Sequence, residues 1–304
     1  MNLSFLKKRR RIVLIFAGCA LTVLFLIFLW PESDPSYKGK SLSQWLTIYG
    51  EQESSREEAA EAVRAIGTNS LPVLVKRLHY EPGRMHNLAR SLVDKLPDAI
   101  SESRAADYVL NRGYYHSDLA YSGFMILGQD ASPAIPGLIS MICDTNSQFS
   151  NLRALNALAC IGPKALPAVS EALSDRKRKN RDLLLGFVDA MANSVNGPEP
   201  FAVLAHSVGD SDRNVAERAV TALGIAPLYP EITVSALAQA LRSPNRRLRL
   251  EAANALANFG PEAHSAIPQL QEILKDADRQ VRFAATNALN RIAPESQPKS
   301  GSEN

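Results

Sequence analysis

The stretch from Asn245 to Asp278 carries two apolar stripes that it cannot bury by itself. Leu248, Ala252, Ala255, Leu256 and Phe259 fall at i, i+4, i+7, i+8 and i+11, one face of a 3.6-residue helix, which we term helix A. After Gly260-Pro261 the spacing resumes in Ala263, Ile267, Leu270 and Leu274, helix B. Two short helices expose more apolar surface than they hide from each other, so the pair demands similar pairs stacked on it.

The chain supplies such pairs. An apolar residue followed by proline recurs at Leu71-Pro72, Ile135-Pro136, Leu166-Pro167 and Ile267-Pro268, and in three of these copies an aspartate follows the proline at the same distance: Asp144, Asp175 and Asp276. Proline fits a helix only in its first turn, where its missing N–H had no partner, so each pair predicts the start of a helix B. Glycine closes the preceding stripe at Gly67, Gly128, Gly162, Gly224 and Gly260, as a left-handed C-cap would require. Gly128 and Gly162 stand 34 positions apart, the length of a helical repeat. No segment shows strand periodicity, and the predicted fold class is all-α, an α-α superhelix with an N-terminal transmembrane helix.

The copies are placed as follows. Ser54 to Tyr80 is the first, and Arg84 to Arg112 is a divergent second without its glycine. Ser117 to Asp144 and Ser150 to Asp175 are regular; Asn180 to Asp210 breaks late, at Gly197-Pro198; Asp212 to Arg242 breaks at Ala226-Pro227 and Tyr229-Pro230. Arg279 to Ile292 is a lone helix A with a polar outer face, suited to capping an array. Residues 54–293 thus form about seven helical pairs plus a terminal helix, and 294–304 a polar, disordered-looking tail. At the other end Ser41 and Gln44 make a capping box ahead of Leu42, Trp45, Leu46 and Tyr49, predicting an N-terminal capping helix over 41–53 that buries Trp45.

The segments DADRQVRFAATNAL, Asp276 to Leu289, and LRLEAANALANFG, Leu248 to Gly260, resemble HEAT-type repeats, in particular the short HEAT-like variety related to phycocyanobilin-lyase repeats. The resemblance implies an armadillo-like solenoid over roughly residues 54–293. It also implies a ladder of aspartates in the turns and arginines six residues on, matched here by Asp276 and Arg282 but not by Ser243 before Arg249 or Asp210 before Ala216.

Residues 1–11 end in a basic cluster, Lys7 to Arg11, and residues 12–30 carry no charge. Nineteen residues rise roughly 28 Å as a helix, close to the bilayer core and longer than a cleaved signal needs, so 12–30 reads as an uncleaved transmembrane signal anchor. The basic end stays cytoplasmic, which places the repeats outside the cytoplasm, in the periplasm if the cell is bacterial. No A-x-A pattern favours cleavage, and Ala17-Gly18-Cys19 lies too early in the apolar run to read as a lipid-attachment signal. Residues 31–40 read as a short polar tether.

The whole chain has a net charge of +3; without the anchor's five basic residues, 29 basic stand against 31 acidic ones, a net −2. A nucleic-acid groove wants a positive excess, so no nucleic-acid partner is expected. The basic run from Arg176 to Arg181 falls at a turn between repeats and reads as a solvated loop.

Catalysis finds little support. Metal-dependent hydroxylases of HEAT-like fold carry His-Glu pairs, whereas His79, His86, His116, His206 and His264 are each followed by another residue. There is no HExxH, CxxC or GxSxG, so no catalytic, cofactor-binding or metal-binding residue is assigned and no cofactor is expected. Cys143 and Cys160 sit in apolar helical contexts as buried thiols, with a bridge open to them only if the geometry allows. The function read from the sequence is a membrane-anchored scaffold or adaptor. It binds partner proteins through the helix B row, with Lys76, Glu171, Gln239, Arg242, Gln271 and Lys275 as candidate contact residues. An enzyme of the bilin-lyase-related group and an envelope-polymer binder are the alternatives.

Overall fold

The computed structural model describes residues 34–95, 101–143, 147–194 and 197–294. The segment 12–30 expected to cross the membrane and the tail from 295 lie outside them. Among the described residues no helix is long and apolar enough to cross a membrane.

The chain divides into two compact units, Met1–Ser122 and Gly123–Asn304. The first opens with a two-strand antiparallel hairpin, β1 (Ser36–Tyr37) and β2 (Lys40–Ser41). This revises the tether reading, since Asp34 to Ser41 is folded. Its turn holds Lys38 and Gly39 at positive φ, and Trp45 donates its indole N–H to the Tyr37 carbonyl at 2.9 Å. Helix α1 (Leu42–Glu51) follows under the predicted capping box, and Trp45 is buried where α1 packs on α2 (Arg56–Ile66).

Asp34 is the hairpin's second fastening. Its carboxylate accepts from Arg77 at 2.8 and 3.0 Å, in helix α3 (Leu71–Leu78), and from the Ser43 amide and hydroxyl. Both side chains of this ion pair are almost wholly buried, 4% and 5% exposed.

Beyond α4 (Arg84–Val93) the prediction of a break between two copies fails. One helix, α5, runs 24 residues from Arg104 to Leu127. Gly113 lies inside it with the Tyr80 ring over its Cα, where a Cβ would stand 2.0 Å from the ring. With no glycine in a positive-φ conformation and no proline to interrupt the ladder, the helix continues.

The second unit is more regular. After α5 the helices are α6 (Ile135–Cys143), α7 (Gln148–Ile161), α8 (Leu166–Ser174), α9 (Arg181–Ser194), α10 (Glu199–Ser207), α11 (Arg213–Ile225), α12 (Pro230–Ala240), α13 (Arg246–Phe259), α14 (Ile267–Glu272) and α15 (Arg279–Ile292). Successive A helices, α9, α11, α13 and α15, pack one on the next, and each B helix packs on the A helix that follows it. The core is aliphatic and alanine-rich: Ala252, Ala255 and Leu256 of α13 and Ala284, Ala285 and Ala288 of α15 are buried. Small side chains let these helix rows approach closely, so much of the packing energy comes from contact over length rather than from bulky anchors.

The proline markers start helices as expected, at Leu71, Ile135, Leu166 and Ile267. The glycine caps need a sharper account. Gly67, Gly162 and Gly260 take φ/ψ of 58/−138, 74/−148 and 55/−137, outside the left-handed helical basin and in a region that a Cβ makes costly. Gly224 is no cap: it lies within α11, where a Cβ would come 3.0 Å from Ala255 Cβ, so it serves helix approach. Its repeat turns instead at Tyr229, which has φ 53 and ψ 57 ahead of Pro230. The buried Thr233 hydroxyl donates to the Leu228 and Tyr229 carbonyls and holds this turn.

Candidate interaction surface

The register of the second unit is set by arginines at the junctions, Arg181 buried and Arg249 half-buried. Arg181, first residue of α9, donates from Nη1 to the Leu173 carbonyl at the end of α8, at 2.7 Å. The same guanidinium grips Asp210 at the next junction through two bonds of 2.6 and 2.9 Å. Arg249 repeats the arrangement on α13: to the Ser243 carbonyl at 2.9 Å, and to Asp276 at 2.7 and 3.0 Å. Each arginine therefore satisfies a junction carbonyl, Leu173 in the last turn of α8 or Ser243 in the turn after α12, and forks onto a carboxylate one repeat later.

The expected Asp276–Arg282 pair takes another form, because Arg282 donates to the Asp276 backbone carbonyl at 2.6 Å while the Asp276 carboxylate faces back to Arg249. The position at Ser243, read as a departure from the ladder, serves it through its carbonyl. Arg181, six residues after Asp175, has the spacing of Arg282 after Asp276, and that spacing was the available signal for it.

These pairs perturb both partners. The hydrogen bond from Arg181 holds the Asp210 carboxyl below its ordinary range, and Asp210 raises Arg181. Arg249 does the same to Asp276 and is itself raised. Asp210 and Asp276 also accept the backbone N–H of Asp212 and Asp278, at 2.7 and 2.9 Å, so each carboxylate shapes the turn before the next A helix.

On this frame all six candidate contact residues are exposed: Lys76 in the first unit, and Glu171, Gln239, Arg242, Gln271 and Lys275 in the second. Arg242, in the turn after α12, reaches Glu272 on α14 at 3.2 Å, with both side chains more than half exposed.

The structure adds a groove that the sequence did not disclose, between the B helices α8 and α10. Its wider end is a cleft of about 350 Å³ lined by Leu166, Pro167, Ser170, Met191, Pro200 and Val203, with Glu199 at its edge. Its narrower end, about 140 Å³, is lined by Leu173, Ser174, Arg176, His206, Ser207 and Asp210. The prolines that start these two helices are also what line the apolar end, a link that appears only once α8 and α10 are set side by side.

His79, His206 and His264 are exposed and His86 and His116 half-buried. Among the described residues no three side chains of His, Cys, Asp or Glu gather where they could hold a metal ion. Cys143 and Cys160 form no disulfide and are half-buried rather than fully buried. Burial raises the Cys143 thiol, against a hydrogen bond from Arg178 that lowers it.

Comparison with known proteins bears on the fold. A family model described as HEAT repeats matches residues 234–300. No curated protein matches the chain. Among solved structures, the chain is similar to human deoxyhypusine hydroxylase in complex with glycerol, at 18% identity and a TM-score of 0.36, over 84% of this chain and 95% of that one. It is also similar to a designed armadillo repeat protein, at 17% identity and a TM-score of 0.37, over 73% of this chain and 99% of that one. A mutant Kap121p matches at 12% identity and a TM-score of 0.43, over 86% of this chain and 30% of that one. At this distance none of the three bears on activity or partners.

Proposed function

We propose that the chain is a membrane-anchored HEAT-repeat scaffold or adaptor that binds partner proteins through its B helices and carries no catalytic activity. The observation that carries the reading is the division of labour in the second unit. Junction arginines and small residues are spent on register and packing, while Glu171, Gln239 and Gln271 of the B helices, and Arg242 and Lys275 just after them, stand in solvent. A rigid frame with a variable exposed row is how repeat proteins present binding surfaces. The HEAT-repeat match at 234–300 supports the reading over the region that holds Gln239, Arg242, Gln271 and Lys275. The uncharged segment 12–30 after five basic residues supports insertion with the basic end cytoplasmic and the repeats outside, periplasmic in a bacterium.

The test is photocrosslinking in intact cells with photoreactive residues at Gln239 and Gln271, and at Asn254, exposed on α13, as the A-helix control. Discrete protein partners captured from the two B-helix positions and not from the control support the scaffold. Equal capture from all three, or none, sinks it. Protease protection of the second unit in sealed cells, lost on permeabilising the outer barrier, checks the orientation.

A further inference from the structure

Helix α4 turns its leucines outward. His86, Ala89 and Val93, at i, i+3 and i+7, are half-buried and form its inner face. Leu88 and Leu92 are 51% and 46% exposed. At about 100° per residue they project from nearly the opposite side of the helix. Arg84, and Lys95 in the turn after the helix, fall on that same outer side at either end of the leucine pair, and both are exposed. In α1 and α3 the leucines Leu42, Leu46, Leu71, Leu74 and Leu78 are all buried, so the outward pair sets α4 apart from them.

The place of α4 in the chain says what those leucines meet. The described chain begins at Asp34, four positions after Trp30, the last residue of the proposed anchor. Asp34 accepts from Arg77, in the last turn of α3, at 2.8 Å. The same helix end leads into α4: the Tyr80 amide donates to the Arg77 carbonyl at 3.2 Å, and Tyr80 Oη lies 3.4 Å from His86 Nδ1 in the first turn of α4. Asp34 and α4 are thus fastened to one end of α3. The acids of the segment lie off the outer side, Glu81 before the helix and Asp94 about 100° round from Lys95. The local excess of positive charge is small, so the leucines carry the attachment.

Resting on the membrane-anchored reading, we infer that α4 is a membrane-surface helix. It lies along the bilayer interface with Leu88 and Leu92 against the acyl chains and Arg84 and Lys95 among the headgroups. Area argues for lipid over protein as the occupant: two half-exposed leucines offer roughly 200 Å², far below the about 800 Å² per partner of a stable protein interface. A bilayer sets no such minimum. Two leucines are too few to bring a free protein to a membrane, but a chain already anchored in one needs only a face to turn toward it. The apolar surface that the pair shows to water is then removed, and the first unit acquires a fixed side toward the bilayer.

The experiment uses the full chain in phosphatidylcholine–phosphatidylglycerol vesicles, with a small fluorescent residue in place of Ser91, which is exposed between the two leucines. Flotation with the vesicles on a density gradient reports the anchor. Quenching by doxyl-labelled lipid, set against quenching by aqueous iodide, reports α4. The double variant Leu88→Ser/Leu92→Ser changes only outward side chains, so its far-UV spectrum and its flotation stay the same. Lipid quenching in the parent chain is at least about threefold stronger than in this variant, and iodide quenching is weaker. A chain that floats yet shows equal lipid quenching in parent and variant, or none in either, overturns the assignment and leaves the anchor standing. Energy transfer between labelled copies that depends on the leucines, without lipid quenching, also overturns it and gives the pair to a second copy. A chain that does not float removes the anchor and this inference with it, so the two failures are distinct.

Discussion

The two units bury arginine–aspartate pairs for different ends. In the second, Arg181–Asp210 and Arg249–Asp276 recur along the stack, and each arginine also closes a helix end through the Leu173 or Ser243 carbonyl. In the first, Arg77–Asp34 joins positions 43 apart in sequence and ties a hairpin onto α3 with Ser43 between them. The ladder spreads register over several junctions, so a lost rung is flanked by intact packing. The clamp is a single point, and its failure frees everything before it. A buried charge pair contributes little net stability against an apolar substitute, but losing one partner strands the other charge. The comparison therefore separates residues by what depends on them, not by how strong their bonds are.

The largest effect is expected at the clamp. Asp34→Ala leaves Arg77 buried without its carboxylate and should cost about 3–5 kcal/mol in urea unfolding of the first unit, whereas replacing both residues with apolar ones restores most of it. Full recovery of stability in the single variant would show that water reaches Arg77. The matching change in the ladder, Asp210→Ala, should cost about 3 kcal/mol and show first as faster amide exchange in α9 and α11.

Gly162→Ala should cost on the order of 1–3 kcal/mol through backbone strain alone, since nothing lies within 4 Å of the added Cβ; an unchanged midpoint would refute the strain account. Acid tests the ladder as a whole. Asp210 and Asp276 sit below their ordinary range when folded, so the unfolded chain binds protons first as pH falls. Their contribution is complete above about pH 5, declines through the ordinary carboxylate value near 4 and is lost below the folded values. Asp210→Asn should flatten that slope in a pH series of melts. The smallest effect belongs to Arg242→Ala, whose pair with Glu272 is more than half exposed: under about 1 kcal/mol, but with a measurable loss of partner capture at Gln239.

Where the chain carries proline or a strained glycine, the elements could be read directly, because those residues act on the backbone locally. Pro72, Pro136, Pro167 and Pro268 mark their helices for that reason. Gly224 looked the same and was not, because a glycine selected for close approach to Ala255 is indistinguishable in sequence from one selected for its φ. At α5 the converse holds: a diverged repeat suggests a break in the sequence, yet with neither a proline nor a positive-φ glycine the helix runs on. The junction arginines were half visible: the six-residue spacing identifies Arg282 and Arg181, but the carboxylates that Arg181 and Arg249 grip lie about one repeat away, which only packing brings near. The α8–α10 groove was illegible, as its walls are ordinary core-spacing residues until two helices are set side by side.

The Asp34 clamp changes the leash on which the repeats are held. A tether of ten residues, 31–40, has a contour of roughly 35 Å; with Asp34 onward fixed to α3, the three residues 31–33 leave about 10 Å between the proposed anchor and the folded chain. Reach enters as its cube, so the space swept shrinks on the order of fortyfold, and the effective concentration toward a partner held near the same bilayer rises by a similar factor. A partner diffusing freely far from the membrane gains nothing from this. Were residues 12–30 inserted as proposed, the clamp would favour partners that are themselves membrane-bound, without contributing a single contact to them.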